Sequence, residues 1–160
     1  LILFMTTTEL FFNAIREKNF DILTSFIDND PDIVNSRDSR GFTPLIFATY
    51  FDNIKVAELL LSKQAEVNAT DYSGNTALIG VCFKGNIEIA LLLIRNGANI
   101  EAKNNTKSTP LMFASTYNNQ SIIELLLQYG AMKDCKDLHG KTAHDHALQK
   151  EFDHLLKLLS

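Results

Sequence analysis

Apolar residues recur along the chain at the spacing of one helix face. Val56 and Leu60 follow this spacing, and Ile89 and Leu93 repeat it further on. Because residues three or four apart lie on the same side of a helix, each run predicts an amphipathic helix with a buried stripe. Polar stretches rich in Asp, Ser, Asn and Gly separate the runs and predict turns. The pattern therefore predicts an all-α chain of short helices joined by turns.

The whole pattern repeats. The segments that open each unit align without gaps and start at positions 41, 74, 107 and 140, a constant step of 33 residues. The second half of the unit keeps the same step at Leu60, Leu93 and Leu126. A unit of this size cannot bury its apolar face alone, so the units are expected to stack.

The boundaries of the helices can be predicted from residue chemistry. Thr43 and Pro44 suit a helix start, because the Thr hydroxyl caps free amides and Pro fits the first turn. Gly97 stands just past a second helix, where a left-handed residue ends it. Lys107 and Gln64 stand where other copies of the unit have glycine. Both are therefore predicted to adopt a positive φ at some cost in strain.

The period, the Thr-Pro-Leu opening and the Leu-Leu-Leu…Gly-Ala ending resemble the ankyrin repeat. The resemblance covers the chain from about residue 9 to its end. It implies an all-α ankyrin-repeat solenoid of stacked helix-turn-helix units with hairpin-like turns and about five helix pairs. One domain is expected at 9–160, divided into an N-terminal cap, three full repeats and a C-terminal cap at 9–36, 37–69, 70–102, 103–135 and 136–160.

The terminal units depart from the repeat. The N-terminal unit is predicted to keep two helices, around Leu10–Lys18 and Phe20–Asp28, but it lacks the Gly-x-Thr-Pro-Leu opening. Asp30-Pro31-Asp32 is expected to end the second of these helices. In the last unit a His-Asp-His stretch replaces apolar residues of the motif. Both units are therefore predicted to cap the solenoid, the last one with a more polar outer face.

One position departs from the family in every unit. Typical ankyrin repeats carry a histidine there that bonds between turns, whereas this chain has Ile46, Ile79, Met112 and Asp145. The three apolar residues are expected to pack in the core. The family's histidine network is not expected here.

Residues 1–8 are predicted to be an N-terminal extension or a remnant of cloning. Met5 is a natural start in one interpretation, and residues 1–5 are the end of a trimmed apolar leader in the other. No basic segment or small-residue cleavage site supports a signal peptide. The expected location is therefore cytoplasmic, or periplasmic or secreted if the leader interpretation holds.

Composition narrows the classes of function. The formal net charge of −4 argues against general nucleic-acid binding, which needs excess Lys and Arg to neutralise phosphates. No apolar run approaches the roughly 20 residues of a membrane span. Cys82 and Cys135 lie too far apart to suggest a disulfide framework or a zinc site. A reducing compartment is mildly favoured.

Sequence motifs of enzymes are absent. The chain has no Gly-x-Ser-x-Gly, phosphate-cradling loop or His-Glu-x-x-His. Cys135, His139, His144 and His146 form a cluster, but its spacing fits no common zinc pattern. These histidines are interpreted as polar residues of the cap. No enzyme activity, cofactor or metal is predicted.

The aromatic residues point to a binding surface. The resemblance implies that partners bind the concave face, formed by hairpin tips and the inner surface of the first helices. Exposed aromatic clusters tend to mark interfaces. Carried onto this chain, the partner-binding residues are predicted to be Arg40, Phe42, Tyr50, Phe51, Tyr72, Asn75, Phe83, Lys84, Asn105, Ser108, Thr116, Tyr117 and Tyr129.

The charged residues predict that the first helices and the second helices carry opposite charges. Glutamates recur on the second helices, whereas lysines gather toward the later hairpins and first helices, at Lys84, Lys103, Lys107, Lys136, Lys141 and Lys150. The concave groove is therefore expected to be locally basic, which suits a partner with acidic spots.

The predicted function is a stand-alone protein-protein interaction module, expected to be a monomer. A narrower alternative is an inhibitor or immunity-type protein that blocks an enzyme's active site. The Asn-, Ile- and Lys-rich composition fits a low-GC genome and hence a small bacterial protein. An enzyme that uses the His-rich cap is a third hypothesis, and metal analysis would test it.

Overall fold

The computed structural model describes residues 5–160 of the chain. Leu1 to Phe4, part of the predicted extension or leader, lie outside the described residues. Within residues 5–160 the chain forms ten α-helices and one short 3-10 helix. They are α1 (Thr7–Glu17), α2 (Phe20–Asn29), the 3-10 helix (Pro31–Asn35), α3 (Pro44–Tyr50), α4 (Ile54–Ser62), α5 (Ala77–Lys84), α6 (Ile87–Arg95), α7 (Pro110–Thr116), α8 (Gln120–Gln128), α9 (Ala143–Gln149) and α10 (Asp153–Leu159).

The helices form five antiparallel pairs, as the repeat predicts. We call α3, α5, α7 and α9 the inner helices, since each packs directly against the next. The second members of these pairs, α4, α6, α8 and α10, are the outer helices. The prediction of an all-α repeat solenoid is thus confirmed for residues 5–160. In this range the β structure amounts to one antiparallel bridge between Thr70 and Thr76.

The N-terminal helix pair lies close to its predicted position. Helix α1 begins a few residues earlier than the apolar pattern suggests, because Thr6 and Glu9 form a capping box around its first turn. Helix α2 ends at Asn29, and the 3-10 helix follows directly from Pro31. Proline therefore interrupts the second helix as expected.

Each inner helix begins with the same interaction. The threonine before it accepts a hydrogen bond from the backbone amide three residues on, which satisfies one of the free amides of the first turn. The four threonines are Thr43, Thr76, Thr109 and Thr142. This shared cap fixes the starting point of every inner helix and so the register of the surface residues that follow.

The core is built from the periodic apolar positions. Leu60, Leu93 and Leu126 of the outer helices are fully buried. Ile46, Ile79 and Met112 are buried as well, which confirms that apolar packing replaces the family's histidine at this position. In the last unit Asp145 is exposed instead, and its carboxylate accepts hydrogen bonds from the backbone and hydroxyl of Thr142.

The two residues that replace glycine have the predicted backbone geometry. Lys107 has φ 58° and Gln64 has φ 66°, whereas the equivalent Gly74 and Gly97 have φ 78° and 88°. The prediction of positive φ at both positions is therefore confirmed. A side chain costs about 1–2 kcal/mol in this region, and the surrounding repeat imposes it nevertheless.

Backbone hydrogen bonds join neighbouring hairpins into a row. Asn105 N donates to Ser73 O at 3.0 Å, and Leu138 N donates to Thr106 O at 3.0 Å. The side-chain amide of Asn119 adds a link at the other end of the inner helices, donating to Cys82 O at 2.7 Å. These contacts hold successive inner helices and hairpins side by side, so their exposed residues form one surface.

Candidate functional site

Three depressions follow one another along the inner helices. The first lies between α1 and the turn before α3, the second crosses α3, α5 and α7, and the third lies between α7 and α9. We call the hairpin tips and the accessible side of the inner helices the inner surface. Phe113 lines both the second and the third depression, so the two lie next to each other.

The first full repeat contributes a cluster of aromatic rings. Phe51 is 49% exposed, and its ring centroid lies 4.7 Å from that of Phe47 and 5.4 Å from that of Tyr50. Tyr50 in turn lies 6.1 Å from Phe42. Rings at these separations support one another, so the cluster is held in place before any partner binds.

The second and third repeats contribute another cluster. Phe83 and Tyr117 meet edge to face with centroids 4.6 Å apart, and Phe113 stacks on Tyr117 at 6.3 Å. Phe83 is 38% exposed and Tyr117 is 47% exposed. Each ring is thus fixed by its neighbour on one side and open to solvent on the other, which is the arrangement of an interface anchor.

Two cations lie over these rings. The Arg40 guanidinium is 4.3 Å from the centroid of Phe42, and Lys84 Nζ is 5.4 Å from that of Tyr50. Each also has a carboxylate partner, since Arg40 pairs with Asp38 at 2.9 Å and Lys84 with Asp52 at 3.6 Å. Cation-π contacts hold both charges close to the apolar surface.

Gly80, in the middle of α5, lines the second depression, which we call the Gly80 pocket. A Cβ atom placed on Gly80 would meet no atom within 4 Å. The pocket has a volume of about 130 Å³, and the rings of Phe42, Tyr50, Phe83 and Phe113 form its walls. It is a small apolar recess in the aromatic surface.

The first depression is larger and carries arginines. Its volume is about 540 Å³, and Arg16, Arg37 and Arg40 line it together with Phe47. The Arg37 side chain donates to the backbone carbonyls of Gly41 and Thr70, which fixes its position. The arginines make this end of the inner surface basic.

Most of the sequence-predicted residues meet on this surface. The second depression brings together Phe42, Tyr50, Asn75 and Phe83. Arg40 belongs to the first depression and Tyr117 to the third, where Ser108 and Thr116 accompany it. Phe51 and Lys84 join through their contacts with Tyr50. Partner binding by these residues remains a prediction.

Four of the predicted residues have a different environment. Tyr72 is exposed at a hairpin tip, and its ring lies over the backbone of Gly41. The Asn105 side chain donates to Tyr72 O at 3.0 Å, so it serves the hairpin row. Ser108 is buried. Tyr129 lies at the end of the outer helix α8, outside the lining of the three depressions.

Sequence reasoning did not single out three features of the surface. Gly80 was missed although it stands 33 residues from both Phe47 and Phe113, so a comparison of aligned units reveals the missing ring. Arg16 and Arg37 were also missed. Arg16 lies in the atypical N-terminal unit, where the period gives no signal, and only the fold brings it to the first depression.

The last inner helix ends the surface with a hydrogen bond to a buried carboxylate. His146 Nε2 lies 2.8 Å from Asp137 Oδ2, and Asp137 is buried. Burial raises the pKa of Asp137, but hydrogen bonds from Lys141 N–H, His146 and His139 N–H outweigh it and hold the pKa below its ordinary value. Among residues 5–160, His, Cys, Asp and Glu form no group suited to a metal ion.

The cysteines carry no sign of reactivity. Cys82 is fully buried, and burial raises the pKa of its thiol far above neutrality. Burial also raises the pKa of Cys135, and the Glu101 carboxylate adds to this effect. Since the thiolate is the nucleophile, neither environment favours covalent chemistry at neutral pH.

Comparison with known proteins identifies the family. The family model for ankyrin repeats in three copies matches residues 10–104 and 79–160, and the chain belongs to this family. A putative ankyrin repeat protein of Fowlpox virus (strain NVSL), FPV018, is 34% identical over 55 residues. That match covers 34% of this chain and 8% of the viral protein. Ankyrin repeats are generally protein-protein interaction modules, and the family is typically non-enzymatic.

Between residues 5 and 160, no helix is both long enough and apolar enough to cross a membrane.

Proposed function

We propose that this protein binds a partner protein through the inner surface of its repeats. The observation that carries the proposal is two groups of packed, half-exposed rings at the C-terminal ends of the inner helices. Phe51 packs on Phe47 and Tyr50, and Phe83 packs on Tyr117. Large rings fixed by their neighbours bind with little loss of conformational freedom, which is why aromatic residues dominate the centres of interfaces.

The outer helices support the same choice of face. Their exposed positions carry mainly charged or polar residues, such as Lys55, Glu58, Glu88 and Glu124. Such residues are depleted at interface cores and serve as a solvated face. The contrast favours the inner surface as the contact surface.

Site-specific photo-crosslinking tests this proposal. A benzophenone amino acid replaces Phe51 or Tyr117 on the inner surface, and a matched control places it at Ile87, which is 42% exposed on outer helix α6. We expect a discrete crosslinked protein from Phe51 and Tyr117 in extracts of the source organism, and none from Ile87. Equal crosslinking from Ile87, or none from either inner position, would contradict the proposal.

The identity of the crosslinked partner decides the narrower role. An enzyme recovered as the main partner, and inhibited by an equimolar amount of this protein, would assign it as an inhibitor or immunity-type protein. A partner without catalytic activity would assign a scaffold or masking role. Both roles use the same surface.

A further inference from the structure

The Gly80 pocket interrupts a row of bulky side chains. Phe47 and Phe113 occupy the equivalent position on α3 and α7, whereas α5 has Gly80 and an open space where a side chain would stand. The pocket that results has a volume of about 130 Å³. An apolar cavity of about 150 Å³ accommodates one benzene molecule. The pocket therefore has room for one large apolar side chain.

Cations lie next to this pocket. The Arg40 guanidinium lies 4.3 Å from the centroid of Phe42, one of the rings that form the pocket wall. Arg40 also lines the first depression with Arg16 and Arg37, so the apolar pocket and the basic depression share a border. A ligand that spans this border meets an apolar recess on one side and guanidinium groups on the other.

The acidic groups of the first depression are already engaged by the chain itself. Glu9 Oε2 accepts hydrogen bonds from Thr6 N at 2.7 Å and from Thr6 Oγ1 at 3.0 Å. Asp38 Oδ1 accepts the backbone N–H groups of Arg40 and Phe42 within its turn. Within the Asp38–Arg40 pair, Asp38 is 18% exposed and Arg40 is 54% exposed, so the cation is the more exposed charge of the two. Glu9 is exposed as well, and three arginines face these two carboxylates in the depression.

Two arginines have N–H groups available for a ligand. Arg40 donates from Nε and Nη2 to Asp38 Oδ2, and within residues 5–160 its Nη1 forms no hydrogen bond. The Arg16 guanidinium lies 5.8 Å from the centroid of Phe47 and forms no ion pair with any residue of that same range. A planar carboxylate matches the fork of a guanidinium and binds it with charge-assisted hydrogen bonds.

We propose that the N-terminal cap and the first two full repeats capture an extended acidic and apolar segment of the partner protein. One large apolar side chain of the segment fills the Gly80 pocket, and a carboxylate within about three residues of it binds Arg40 and Arg16. This proposal rests on the proposed function and adds to it the chemistry of the partner. The pocket supplies the anchor, and the arginines fix the direction of the segment.

Selection from a phage-displayed library of random 12-residue peptides tests the proposal on the full chain. We expect the enriched peptides to carry Phe, Trp, Leu or Ile within three residues of Asp or Glu. One such peptide is then titrated into the parent and its variants. We expect Gly80→Phe, which fills the pocket with the residue of the sister repeats, to lower affinity at least tenfold.

Matched variants separate the two parts of the site. Gly80→Ala leaves most of the pocket open, so its affinity should stay within about threefold of the parent. Arg16→Gln removes a charge without breaking an ion pair among residues 5–160, and it should lower affinity three- to tenfold. The same peptide should also bind more weakly as salt rises, because the ion pairs are partly exposed. Gly80→Leu repeats the pocket test should Gly80→Phe unfold.

The outcomes distinguish this site from the inner surface as a whole. Peptides that lose binding with Tyr117→Ala but bind Gly80→Phe and Gly80→Leu like the parent would overturn the pocket and leave the proposed function standing. Peptides that ignore every inner-surface variant would overturn both. A library that yields no binder, or binders without the acidic and apolar pair, would overturn the proposed ligand chemistry.

Discussion

The inner surface and the outer helices are built from the same repeat, yet their exposed chemistry differs. On the outer helices the exposed positions are mainly charged, as at Glu58 and Glu88. On the inner surface the exposed residues include aromatic rings such as Phe51 and Tyr117. The shared core requires neither choice. Residues that the period does not dictate therefore carry the information about what each face does.

The largest predicted effect compares a glycine on each side. Gly74 lies in a hairpin of the inner surface, where a Cβ would stand 2.5 Å from Asn105 Oδ1 and 2.8 Å from Asn105 N. Gly97 follows outer helix α6, where a Cβ would meet nothing within 4 Å. Gly97→Val should cost about 1–2 kcal/mol, because of positive φ alone. Gly74→Val should cost about 3 kcal/mol, since overpacking adds to the strain.

Urea melts of the two valine variants measure this difference. Equal losses of stability would mean that the hairpins rearrange around the new side chain without a penalty. The close packing of Asn105 against Gly74 would then be wrong. Gly97→Ala is the control for the β-branched side chain, and we expect it to lose less than Gly97→Val.

The next prediction concerns binding. We expect Phe51→Ala, Phe83→Ala and Tyr117→Ala each to weaken partner binding by about 2 kcal/mol, roughly 30-fold. Their thermal midpoints should stay close to the parent, because each ring is more than a third exposed. Ile87→Ala, on an outer helix, should change neither quantity. Calorimetry with the crosslinked partner measures the affinities, and an equal loss with Ile87→Ala would erase the distinction between the two faces.

The fold was predictable because its determinants recur. Thr43, Leu60 and the positive φ at Lys107 each occupy a position that the period identifies, and the structure bears out all three. The predicted location of residues along the unit also follows from this register, which is why Phe42, Tyr50 and Phe83 meet in one depression.

What the sequence did not reveal depends on contacts between units that are not alike. Arg16 reaches the first depression because α1 packs against α3, and no repeat position predicts that contact. Tyr129 caps the end of an outer helix and lines none of the three depressions. The lysines predicted to make the groove basic gather toward the later repeats, whereas arginines line its first depression.

The end of the inner surface gives a prediction of intermediate size. His146→Ala leaves Asp137 Oδ2 without the nitrogen now 2.8 Å away, and Asp137 is buried. Loss of one partner of a buried hydrogen bond costs about 1–3 kcal/mol, so we expect the variant to lose about 1–2 kcal/mol near pH 7. Leu148→Ala, an exposed position on the same helix, is the control.

The pH dependence of this loss has a definite sign. The pKa of Asp137 is lowered in the folded protein, so its stabilising contribution is present above the unfolded value of about 3.9 and is lost as pH falls through the folded value. The difference between parent and His146→Ala should therefore shrink below about pH 4. Urea melts at pH 5 and pH 3 measure it, and a difference that is larger at pH 3 than at pH 5 would contradict this account.

A smaller effect concerns Gly80 itself. Glycine inside a helix is about 0.5–1 kcal/mol less favourable than alanine. Since a Cβ at Gly80 would meet no atom within 4 Å, Gly80→Ala should stabilise the protein by about that amount. A thermal melt decides it, and a loss of stability would show that the space over α5 is not open.

The smallest predicted effect concerns the strain of positive φ, which we compare between the inner surface and the outer helices. Lys107 lies in an inner hairpin and Gln64 follows outer helix α4, and both are exposed with φ near 60°. Glycine relieves about 1 kcal/mol of strain at each position but loosens the unfolded chain by about 0.4–1 kcal/mol. Lys107→Gly and Gln64→Gly should therefore be neutral or mildly stabilising, and equal to each other within about 0.5 kcal/mol in urea melts. A loss of more than about 1 kcal/mol at Lys107 alone would mean that its side chain stabilises the inner hairpins. The two faces would then differ in how side chains support their turns as well as in their exposed residues.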